Sequence, residues 1–396
     1  MGSYSWLCSL RSLRYFYQIL LNLNKEKKVY IIAGEASGDL HASNMMEALL
    51  SLDSNINFRF WGGDRMIAVQ NSCVKHIRDL AFMGFIEVVM NIRTIARNIR
   101  FCKKDILEYK PDVLLLVDYP GFNLRIAKWA KTQGIEVAYY ISPQVWAWKQ
   151  KRVHTIKEVV DHMYVILPFE KDFYKKFNMD VDYVGHPLLD EVSKFQYQGE
   201  DSFREKHQLD ERPIIAILPG SRKQEISRKL PIMLESAKGI DSHQLVIAGA
   251  PNMELSDYSD YDLSNAQIIK NDTYQLLANS DVAVVTSGTA TLETALFKVP
   301  QVVCYKGSSI SYHIAKRLVK VKYISLVNLI MGEEVVKELI QSECNAKTIR
   351  FELERLLNDE TYVGNMRSKF EELNSILGGG GASKNVASAL HKVLER

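Results

Sequence analysis

The sequence predicts an α/β protein with two doubly wound parallel sheets in tandem. From Lys28 onward, short apolar runs alternate with amphipathic stretches at helical spacing, which is the pattern of parallel strands connected by helices. This alternation breaks at Gly185-His186-Pro187 and then starts again. The length of 396 residues also exceeds what one ordinary core accommodates. We therefore expect two Rossmann-like domains, with a ligand cleft between the carboxyl ends of their strands.

Each predicted strand is a short run rich in aliphatic or aromatic residues. In the first half these runs are Val29–Ala33, Phe58–Trp61, Val113–Val117, Glu136–Ile141, His162–Ile166 and Val181–Val184. In the second half they are Ile214–Leu218, Gln244–Ile247, Gln267–Lys270, Val282–Val285 and Gln301–Tyr305. The last segment predicts a short helix with Val386, Leu390 and Val393 on one face.

The break and a later glycine run divide the chain into four predicted segments. Residues 28–186 form the first domain and residues 187–376 the second. Residues 377–396 form a C-terminal helix that crosses back to another domain or is exchanged with another subunit, because Gly378–Gly381 leaves the chain free to do either. Residues 1–27 form an extension outside the fold, which is either an interfacial helix or the product of an upstream start codon wrongly included.

Composition and charge argue against several classes of protein. Apolar residues make up 47% and charged residues 24%, as in an ordinary folded enzyme. The net charge of +3 gives no indication of a nucleic-acid partner. The five scattered cysteines contain no Cys-x-x-Cys pair, so we expect neither a zinc site nor a disulfide framework. No run of 18 apolar residues is present, so we expect no membrane-spanning helix.

Two strand–loop–helix turns in the second half are suited to binding a diphosphate. The first contains Gly220, Ser221 and Arg222, and we expect Ser221 to cap the following helix. The second opens a helix with small residues, and its candidate ligand contacts are Ser287, Gly288, Thr289, Ala290 and Thr291. Free backbone N–H groups and the positive end of the helix dipole attract phosphate at such a position. Neither turn has the Walker or Gly-x-Gly-x-x-Gly pattern, which favours a nucleotide-sugar diphosphate over ATP or NAD.

Each of these turns alone could be an ordinary βα connection, but Arg222 and Glu293 favour a site. The departure of a nucleoside diphosphate builds negative charge, which a guanidinium at a helix start stabilises. Glu293 lies one turn inside the second helix, where it can accept ribose hydroxyls. A magnesium-dependent transferase would have Asp-x-Asp at the end of a strand, whereas Asp180-Val181-Asp182 brackets a strand start and Asp260-Tyr261-Asp262 lies in a polar loop. We therefore expect no metal and no cofactor.

The first half offers a carboxylate at the end of an apolar strand. Asp118 follows Val113–Val117 directly, so it should face the ligand crevice, where the low dielectric should raise its pKa. Transfer of a sugar to an alcohol needs a base for the hydroxyl proton, which is the role we predict for Asp118. The alternative is a carboxylate that only initiates the turn before Pro120-Gly121. The small, acidic loop with Glu35 and Ser37 would suit sugar hydroxyls, although a plain βα turn would have the same letters.

A basic amphipathic helix after Met83-Gly84 is the candidate membrane contact. Its apolar stripe contains Phe85, Val88, Val89, Ile92, Ile95, Ala96 and Ile99. Beside it runs a basic stripe of Arg93, Arg97, Arg100 and Lys104. Such a helix suits an anionic lipid surface. The alternative is an apolar face that packs on the core and leaves the arginines in solvent.

Two further groups of residues remain open. The loop Ser142–Gln150 contains Trp146 and Trp148, which would stack on a sugar or acyl surface if exposed and would wedge a helix against the sheet if buried. His41, His162 and His186 have no partner at metal-ligand spacing, so we predict structural roles for them.

Taken together and in this order, these segments resemble the lipid-A-disaccharide synthase family of inverting glycosyltransferases with two Rossmann-like domains (the GT-B type). The resemblance extends from about Lys28 to the C-terminus. It rests on Ala33–Asp39, Met83–Val88, Ile141–Trp148, Leu167–Glu170, Leu218–Arg222, Ser287–Glu293 and Ser325–Leu329. Gly121 departs from it, because the family often has an acidic residue there, and residues 1–27 lie outside it.

The resemblance implies a specific reaction. The donor would be UDP-2,3-diacylglucosamine and the acceptor 2,3-diacylglucosamine 1-phosphate, joined by a β-1,6 linkage with release of UDP in lipid A biosynthesis. Asp118 and Arg222 match the essential acidic and basic positions of the family, and Glu35 and Asn328 match site residues. Residues 28–186 would then bind the acceptor and face the membrane, and residues 187–376 would bind the UDP-sugar.

The resemblance also implies a location and an assembly. The enzyme would be cytoplasmic and peripherally bound to the inner membrane's cytoplasmic face, through its anionic lipids, and a homodimer would form by C-terminal exchange. Two alternatives remain open. One is another UDP-N-acetylglucosamine-using enzyme on the same scaffold, either a transferase or a 2-epimerase. The other is a catalytically silent nucleotide-sugar-binding protein at the membrane surface.

Overall fold

The computed structural model describes residues 26–80, 92–251, 253–308, 312, 319 and 321–396. The first half forms a parallel sheet of seven strands in the order β3-β2-β1-β4-β5-β6-β7. The strands are β1 (Lys27–Ala33), β2 (Ile56–Gly62), β3 (Cys73–His76), β4 (Val113–Val117), β5 (Glu136–Tyr140), β6 (His162–Val165) and β7 (Asp182–Tyr183).

Helices connect successive strands of this sheet. They are α1 (Ala36–Leu52), α2 (Asp64–Val69), α3 (Ile92–Tyr109), α4 (Pro120–Thr132), α5 (Val145–Trp148), α6 (Arg152–Val159) and α7 (Pro168–Lys175). A 3₁₀ turn covers Ile77–Asp79.

The second half forms a parallel sheet of six strands in the order β10-β9-β8-β11-β12-β13. The strands are β8 (Ile214–Leu218), β9 (Gln244–Gly249), β10 (Ala266–Lys270), β11 (Val282–Thr286), β12 (Gln301–Tyr305) and β13 (Lys337–Ile340). The accompanying helices are α8 (Pro187–Ser193), α9 (Glu200–His207), α10 (Lys223–Ala237), α11 (Thr273–Ala278), α12 (Thr289–Leu296), α13 (Leu326–Met331), α14 (Ala346–Asn358), α15 (Glu360–Leu377) and α16 (Ala382–Leu394). A further 3₁₀ turn covers Leu255–Tyr258.

Central strands form where an uninterrupted apolar run is covered on both faces. All five residues of β4 are buried, as are all five of β8. In β1, Tyr30 and Ile32 enter one core cluster while Val29 and Ile31 enter another, so the two clusters lie on opposite faces of the sheet. Two parallel sheets covered by helices on both faces confirm the predicted α/β fold class.

Each sheet has one point where the strand order reverses. In the first sheet this point lies between the neighbours β1 and β4, and in the second between β8 and β11. Open α/β sheets bind ligands at the carboxyl ends of such strands, because the connecting helices leave the sheet on opposite sides and open a crevice. We call these positions the first and second switch points.

The C-terminal helix returns to the first half of the chain. Val386 and Leu390 of α16 are buried in a core cluster with strands of the first sheet, and α16 packs on α1. The carboxylate of Asp190, in α8, accepts hydrogen bonds from the backbone N–H groups of Gly381, Ala382 and Ser383. This contact caps the start of α16 and ties it to the segment between the two sheets.

Candidate active site

The first switch point brings Gly34, Asp118 and Ile141 side by side. Ala33 pairs with Val117 and Val117 pairs with Tyr140, so the next residue of each strand lies at the same level of the carboxyl edge. Gly34 is required there, because a Cβ atom at this position would lie 2.4 Å from the ring of Tyr119. The loop after β1 and the turn after β4 therefore pack directly against each other.

Asp118 sits in a constrained turn. Its φ of 46° and that of Tyr119, 48°, are left-handed, a conformation that non-glycine residues rarely adopt. The backbone N–H of Asp118 donates to Tyr140 O at 3.0 Å, and its carbonyl accepts from Asn123 Nδ2 at 2.8 Å. Burial and, to a smaller extent, the charge of Glu35 together raise the pKa of the Asp118 carboxyl to about 6, against a backbone hydrogen bond from Tyr119 that lowers it. The raised pKa agrees with the expectation for a carboxylate in a crevice.

The loop after β1 holds Glu35 and Ser37 at the mouth of this site. Glu35 is the N-cap residue of α1 and is half-buried, whereas Ser37 is exposed. Asp39 lies in the first turn of α1 but stabilises the neighbouring helix α2. Its carboxylate accepts hydrogen bonds from the backbone N–H groups of Gly63, Arg65 and Met66 and so holds the start of α2.

At the second switch point, the turn after β8 places Arg222 at a helix start. The helix α10 begins at Lys223 with Arg222 as its N-cap residue, so the prediction that Ser221 caps this helix is wrong. Arg222 is 61% exposed, and its Nη1 lies 3.3 Å from Oε1 of Glu225. An exposed pair of this kind is weak, so the guanidinium can turn to a bound phosphate at little cost.

Two charged residues that the sequence did not single out lie beneath this turn. Oε2 of Glu225 lies so close to Gly220 that a Cβ atom there would be 2.6 Å from it. The same oxygen lies 4.0 Å from Nζ of Lys229, whose side chain is only 5% exposed. Burial lowers the pKa of Lys229, while the charge of Glu225 raises it. Their spacing of four residues on α10 is the sequence signal that could have paired them.

The turn after β11 has an open backbone. Gly288, the N-cap residue of α12, has a φ of 148°, and a Cβ atom added there would have no heavy atom within 4 Å. The space above the turn is therefore free, while the conformation favours glycine. Thr289 is exposed and Ala290 half-buried, and their N–H groups belong to the first turn of α12, which has no intrahelical acceptors for them. The hydroxyl of Ser287 donates to Ile324 O at 3.2 Å.

Two predicted contacts at this end of the site have fully buried side chains. Thr291 is fully buried, and its hydroxyl donates to Gly288 O at 2.8 Å, within the helix start. Asn328 is also fully buried. Its Nδ2 donates to Val336 O and to Glu338, and its Oδ1 accepts from the N–H groups of Val335 and Val336. Both side chains are buried and hydrogen-bond to nearby chain, so in this structure they stabilise the local backbone.

Glu293, the residue predicted to bind the ribose hydroxyls, is half-buried. Burial raises the pKa of its carboxyl, against a hydrogen bond from the hydroxyl of Tyr274, which donates to Oε1 at 3.3 Å. Thr286, at the end of β11, is also buried, and its hydroxyl has no hydrogen-bond partner within the described part of the chain. Threonine is common at the end of a strand, so no pattern in the sequence indicates Thr286 as a site residue.

The helix α13 joins the two halves beside this site. Leu326 and Ile330 pack against the core of the second sheet and also against a core cluster of the first. Because Ile324, just before α13, accepts the Ser287 hydroxyl, the second switch point is linked to the segment that contacts the first half.

The basic helix differs from its prediction where it can be described. Ile99 packs against the core, and Cys102 and Ile106 are buried in it, so this part of the apolar stripe faces inward. Arg93, Arg97 and Arg100 are exposed. Phe85, Val88, Val89 and the side chain of Ile92 lie outside the described residues. Across the described residues, no helix is apolar and long enough to cross a membrane.

The tryptophan loop, residues 141–152, contains one buried and one exposed tryptophan. Trp146 is buried, and its Nε1 donates to Oε1 of Glu170 at 3.2 Å. Glu170 is buried as well, which raises its pKa to about 7 although it accepts hydrogen bonds from Leu167, Ile166 and Trp146. Trp148, by contrast, is 45% exposed. The structural alternative therefore applies to Trp146, while Trp148 is accessible for a contact.

Two of the three histidines have a local hydrogen-bond partner, whereas Nδ1 of His41 is buried without one among the described residues. His186 accepts from the N–H of Leu188 and caps α8, and burial lowers its pKa to about 3. Burial also lowers the pKa of His41, to about 4. His162 lies 2.8 Å from Glu136. Among the residues with described positions, no three His, Cys, Asp or Glu side chains are grouped to hold a metal ion.

Comparison with solved structures places the fold among nucleotide-sugar enzymes. A putative UDP-N-acetylglucosamine 2-epimerase from Listeria monocytogenes matches with a TM-score of 0.67 at 12% identity, over 93% of this chain and 96% of that one. The UDP-GlcNAc 2-epimerase from Neisseria meningitidis, solved with UDP-GlcNAc bound, matches with a TM-score of 0.63 at 16% identity, over 92% of this chain and 100% of that one. At these identities the likeness concerns the fold alone.

Sequence comparison is more specific. The family model for lipid-A-disaccharide synthetase matches residues 29–388. The lipid-A-disaccharide synthase of Trichlorobacter lovleyi is 40% identical over 385 residues, which cover 94% of this chain and 99% of the relative. That of Coxiella burnetii is 37% identical over 372 residues, covering 93% and 99%. The chain therefore belongs to the lipid-A-disaccharide synthetase family and is a glycosyltransferase, as its motifs predict.

Proposed function

We propose that the protein transfers 2,3-diacylglucosamine from UDP-2,3-diacylglucosamine to 2,3-diacylglucosamine 1-phosphate, which forms the β-1,6-linked tetraacyl disaccharide 1-phosphate and UDP. The observation that carries the proposal is the family match along residues 29–388. The geometry supports it, because a carboxylate stands at one switch point and two anion-binding turns stand at the other. We assign acceptor binding to residues 28–186 and UDP-sugar binding to residues 187–376.

In the proposed reaction, Asp118 accepts the proton of the acceptor's 6-hydroxyl. The oxygen attacks the anomeric carbon of the donor, and the bond from that carbon to the β-phosphate oxygen breaks with both electrons leaving on UDP. Attack from the face opposite the leaving group inverts the anomeric centre. A pKa of about 6 for Asp118 supports this role, because the carboxyl is then ionised near neutral pH and still basic enough to take a proton. Glu35 and Ser37 bind sugar hydroxyls beside it.

UDP binding falls to the second switch point. The exposed guanidinium of Arg222 and the free N–H groups at the start of α12 stabilise the charge of the departing diphosphate. The main chain of Gly220 and Ser221, together with Ser287, Gly288, Thr289 and Ala290, lines this site. Glu293, beside Tyr274, accepts hydrogen bonds from the ribose hydroxyls.

One assay tests this function. Radiolabelled donor and the acyl monosaccharide phosphate are incubated in neutral detergent micelles without added metal, and we expect a labelled disaccharide and UDP in equal amounts. A protein that instead released a 2-epimer from UDP-N-acetylglucosamine would belong to the alternative class of enzyme on this scaffold. A protein that bound UDP but formed neither product would be a silent binding protein.

We also infer peripheral attachment to anionic lipid on the cytoplasmic face of the inner membrane. Arg93, Arg97 and Arg100 are exposed on α3, and Phe101 on the same helix is 45% exposed. Each such cation near an anionic surface contributes about 1 kcal/mol. Replacing the three arginines by glutamine should lower binding to phosphatidylglycerol vesicles and leave turnover in neutral micelles unchanged. An unchanged partition, at low and high salt alike, would exclude this surface.

A homodimer by exchange of residues 377–396 is the corresponding proposal for assembly. In the structure α16 packs on α1 of its own chain. An exchanged helix would make the same contacts with α1 and Asp190 of a second subunit. Light scattering distinguishes a monomer of 45.3 kDa from a particle of twice that mass.

A further inference from the structure

Trp148 and Lys149, at the tip of the tryptophan loop, have no assigned role. We propose that they form a subsite for the phosphorylated sugar of the acceptor, in which Trp148 covers one face of the sugar ring and Lys149 pairs with the phosphate. Lys151 and Arg152 lie beside Lys149 in the chain and add to its positive field. This inference rests on the proposed function, because that function supplies an acceptor with a sugar and a phosphate.

The position of the loop is the first argument. Its first residue, Ile141, is the neighbour of Asp118 across the strands β4 and β5, because Val117 pairs with Tyr140. Neighbouring strands are about 4.8 Å apart, so the loop leaves the sheet directly beside the proposed base. A loop that begins there leaves the sheet at the edge where the acceptor would approach Asp118.

Backbone strain marks the same place. Ile141 has a φ of 65°, which is a rare conformation for a β-branched residue, and Asp118 beside it has a φ of 46°. Strained residues of this kind persist only where the surrounding structure holds them, and they cluster at functional sites. Two adjacent strands therefore turn sharply at one level of the sheet edge.

The base of the loop is fixed while its tip is exposed. Glu170, nearly fully buried, accepts from Trp146 Nε1 at 3.2 Å and from the N–H of Leu167 at 3.0 Å. The hydroxyls of Ser142 and Tyr174 lie 2.6 Å apart. Trp148 nevertheless remains 45% exposed, two residues after the buried Trp146. A rigid loop that displays a large aromatic side chain loses little conformational entropy when a ligand covers it.

The charge at the tip is uncompensated. Nζ of Lys149 lies 3.9 Å from the centroid of the Trp148 ring. None of Lys149, Lys151 and Arg152 forms an ion pair with a carboxylate of the described chain, although many exposed lysines do, such as Lys131 with Asp161 at 2.5 Å. Desolvation and, to a smaller extent, repulsion by the charge of Arg152 lower the pKa of Lys149. A phosphate would relieve this repulsion.

A phosphate next to an apolar surface could come from the acceptor or from a lipid headgroup. The acceptor is favoured, because the loop begins at the neighbour of Asp118, the proposed base. An acceptor that lacks its phosphate distinguishes the two sources, because only a contact with the acceptor's own phosphate is then lost.

The test measures acceptor and donor kinetics in neutral detergent micelles, which contain no anionic lipid. We expect Lys149→Met to raise the KM for the acceptor about tenfold, as the loss of one charge-assisted hydrogen bond does, and to leave the KM for the donor unchanged. With an acceptor that lacks the 1-phosphate, Lys149→Met should behave as the unchanged protein does. Trp148→Ala should raise the acceptor KM for both acceptors, and Trp148→Phe should restore most of the loss.

Lys103→Met is the matched control. Nζ of Lys103 lies 5.4 Å from the centroid of the Trp129 ring, so this variant also removes a lysine that pairs with a tryptophan. Trp129 lies near the end of α4, which starts beside Asp118 and runs back towards the amino ends of the strands. We expect this variant to keep both KM values.

Three results would overturn the subsite. The acceptor KM could stay unchanged in Lys149→Met and Trp148→Ala, or Lys149→Met could act equally on both acceptors. The variants could also lose only binding to phosphatidylglycerol vesicles, which would make the loop a lipid contact. If the unchanged protein forms no disaccharide, the proposed function fails separately. Equilibrium binding of the acyl monosaccharide phosphate to the same variants then decides the subsite, with weaker binding in Lys149→Met supporting it and equal binding rejecting it.

Discussion

The two switch points share one topology and differ in almost every chemical respect. At the first, a half-buried carboxylate with a raised pKa sits in a left-handed turn against the ring of Tyr119. At the second, two helices begin with an exposed arginine and with a glycine that has free space where a side chain would be. The first is enclosed and rigid, as a proton acceptor requires. The second is open and cationic, as a site that must bind and release a diphosphate requires. The fold supplies the place, and the loop residues supply the chemistry.

The largest expected effect is at the first switch point. Asp118→Asn should lower kcat by about 10²–10⁴-fold, because the proton acceptor is removed while the shape is kept. The affinity for UDP, measured by calorimetry, should stay the same, since UDP binds at the second switch point. Near-normal turnover would show that Asp118 is not the base. Weaker UDP binding would contradict the assignment of UDP to the second switch point alone.

The next largest effect is at the second switch point. Arg222→Ala should lower kcat by about 10²–10³-fold, because stabilisation of the leaving diphosphate is lost. Unlike Asp118→Asn, it should also weaken UDP binding. Lys238→Ala is the control, because this exposed lysine lies at the other end of α10 and pairs only weakly with Glu235 at 4.0 Å. Unchanged UDP binding and turnover in Arg222→Ala would disprove the role.

A smaller effect is expected at Gly288. Gly288→Ala adds a methyl group in free space but at a φ of 148°, so it should cost roughly 1–3 kcal/mol in backbone strain. The methyl group also occupies the place of the diphosphate, and we expect UDP affinity to fall about tenfold with the acceptor KM unchanged. Gly364→Ala, on α15 in open space and without positive φ, is the control. Equal UDP affinity in both variants would show that the start of α12 does not bind phosphate.

The smallest effect sharpens the description of the first site. Asp118 acts as a base only when ionised, so kcat/KM should fall about tenfold per pH unit below its pKa of about 6 and level off above it. The charge of Glu35 contributes to the raised pKa. Glu35→Gln should therefore move the acid limb of the profile to lower pH, while burial keeps it above the ordinary range for aspartate. A limb that moves to higher pH, or does not move, would contradict this coupling.

The sequence predicted the centre of each sheet better than its edges. The strands Val113–Val117, Ile214–Leu218 and Gln301–Tyr305 have the predicted bounds. Fully buried strands are apolar throughout, so the sequence displays them clearly. The edge strands Cys73–His76 and Lys337–Ile340 were not predicted, because edge positions tolerate charged residues and lose the apolar pattern.

At the site, position in the chain was informative and side-chain direction was not. The placement of Asp118 and Arg222 follows from strand ends, which the sequence locates. That Thr291 and Asn328 turn inward depends on hydrogen bonds that no sequence pattern displays, from Thr291 to Gly288 and from Asn328 to Glu338. The ion pair of Glu225 with Lys229 had its four-residue spacing as a signal, but burial made it significant. The sequence likewise left the direction of Ile99 on α3 open, and the structure shows that it packs on the core.

The return of α16 to α1 has a consequence for how the protein is made. Val386 and Leu390 complete a core whose other members begin at Val29, so the core of the first sheet is completed only after the whole second sheet has been translated. While the chain is still on the ribosome, the face of α1 that α16 covers is open to solvent, and a chaperone or a second nascent chain can reach it. A stop codon near the glycine run would leave that face bare in an otherwise whole enzyme.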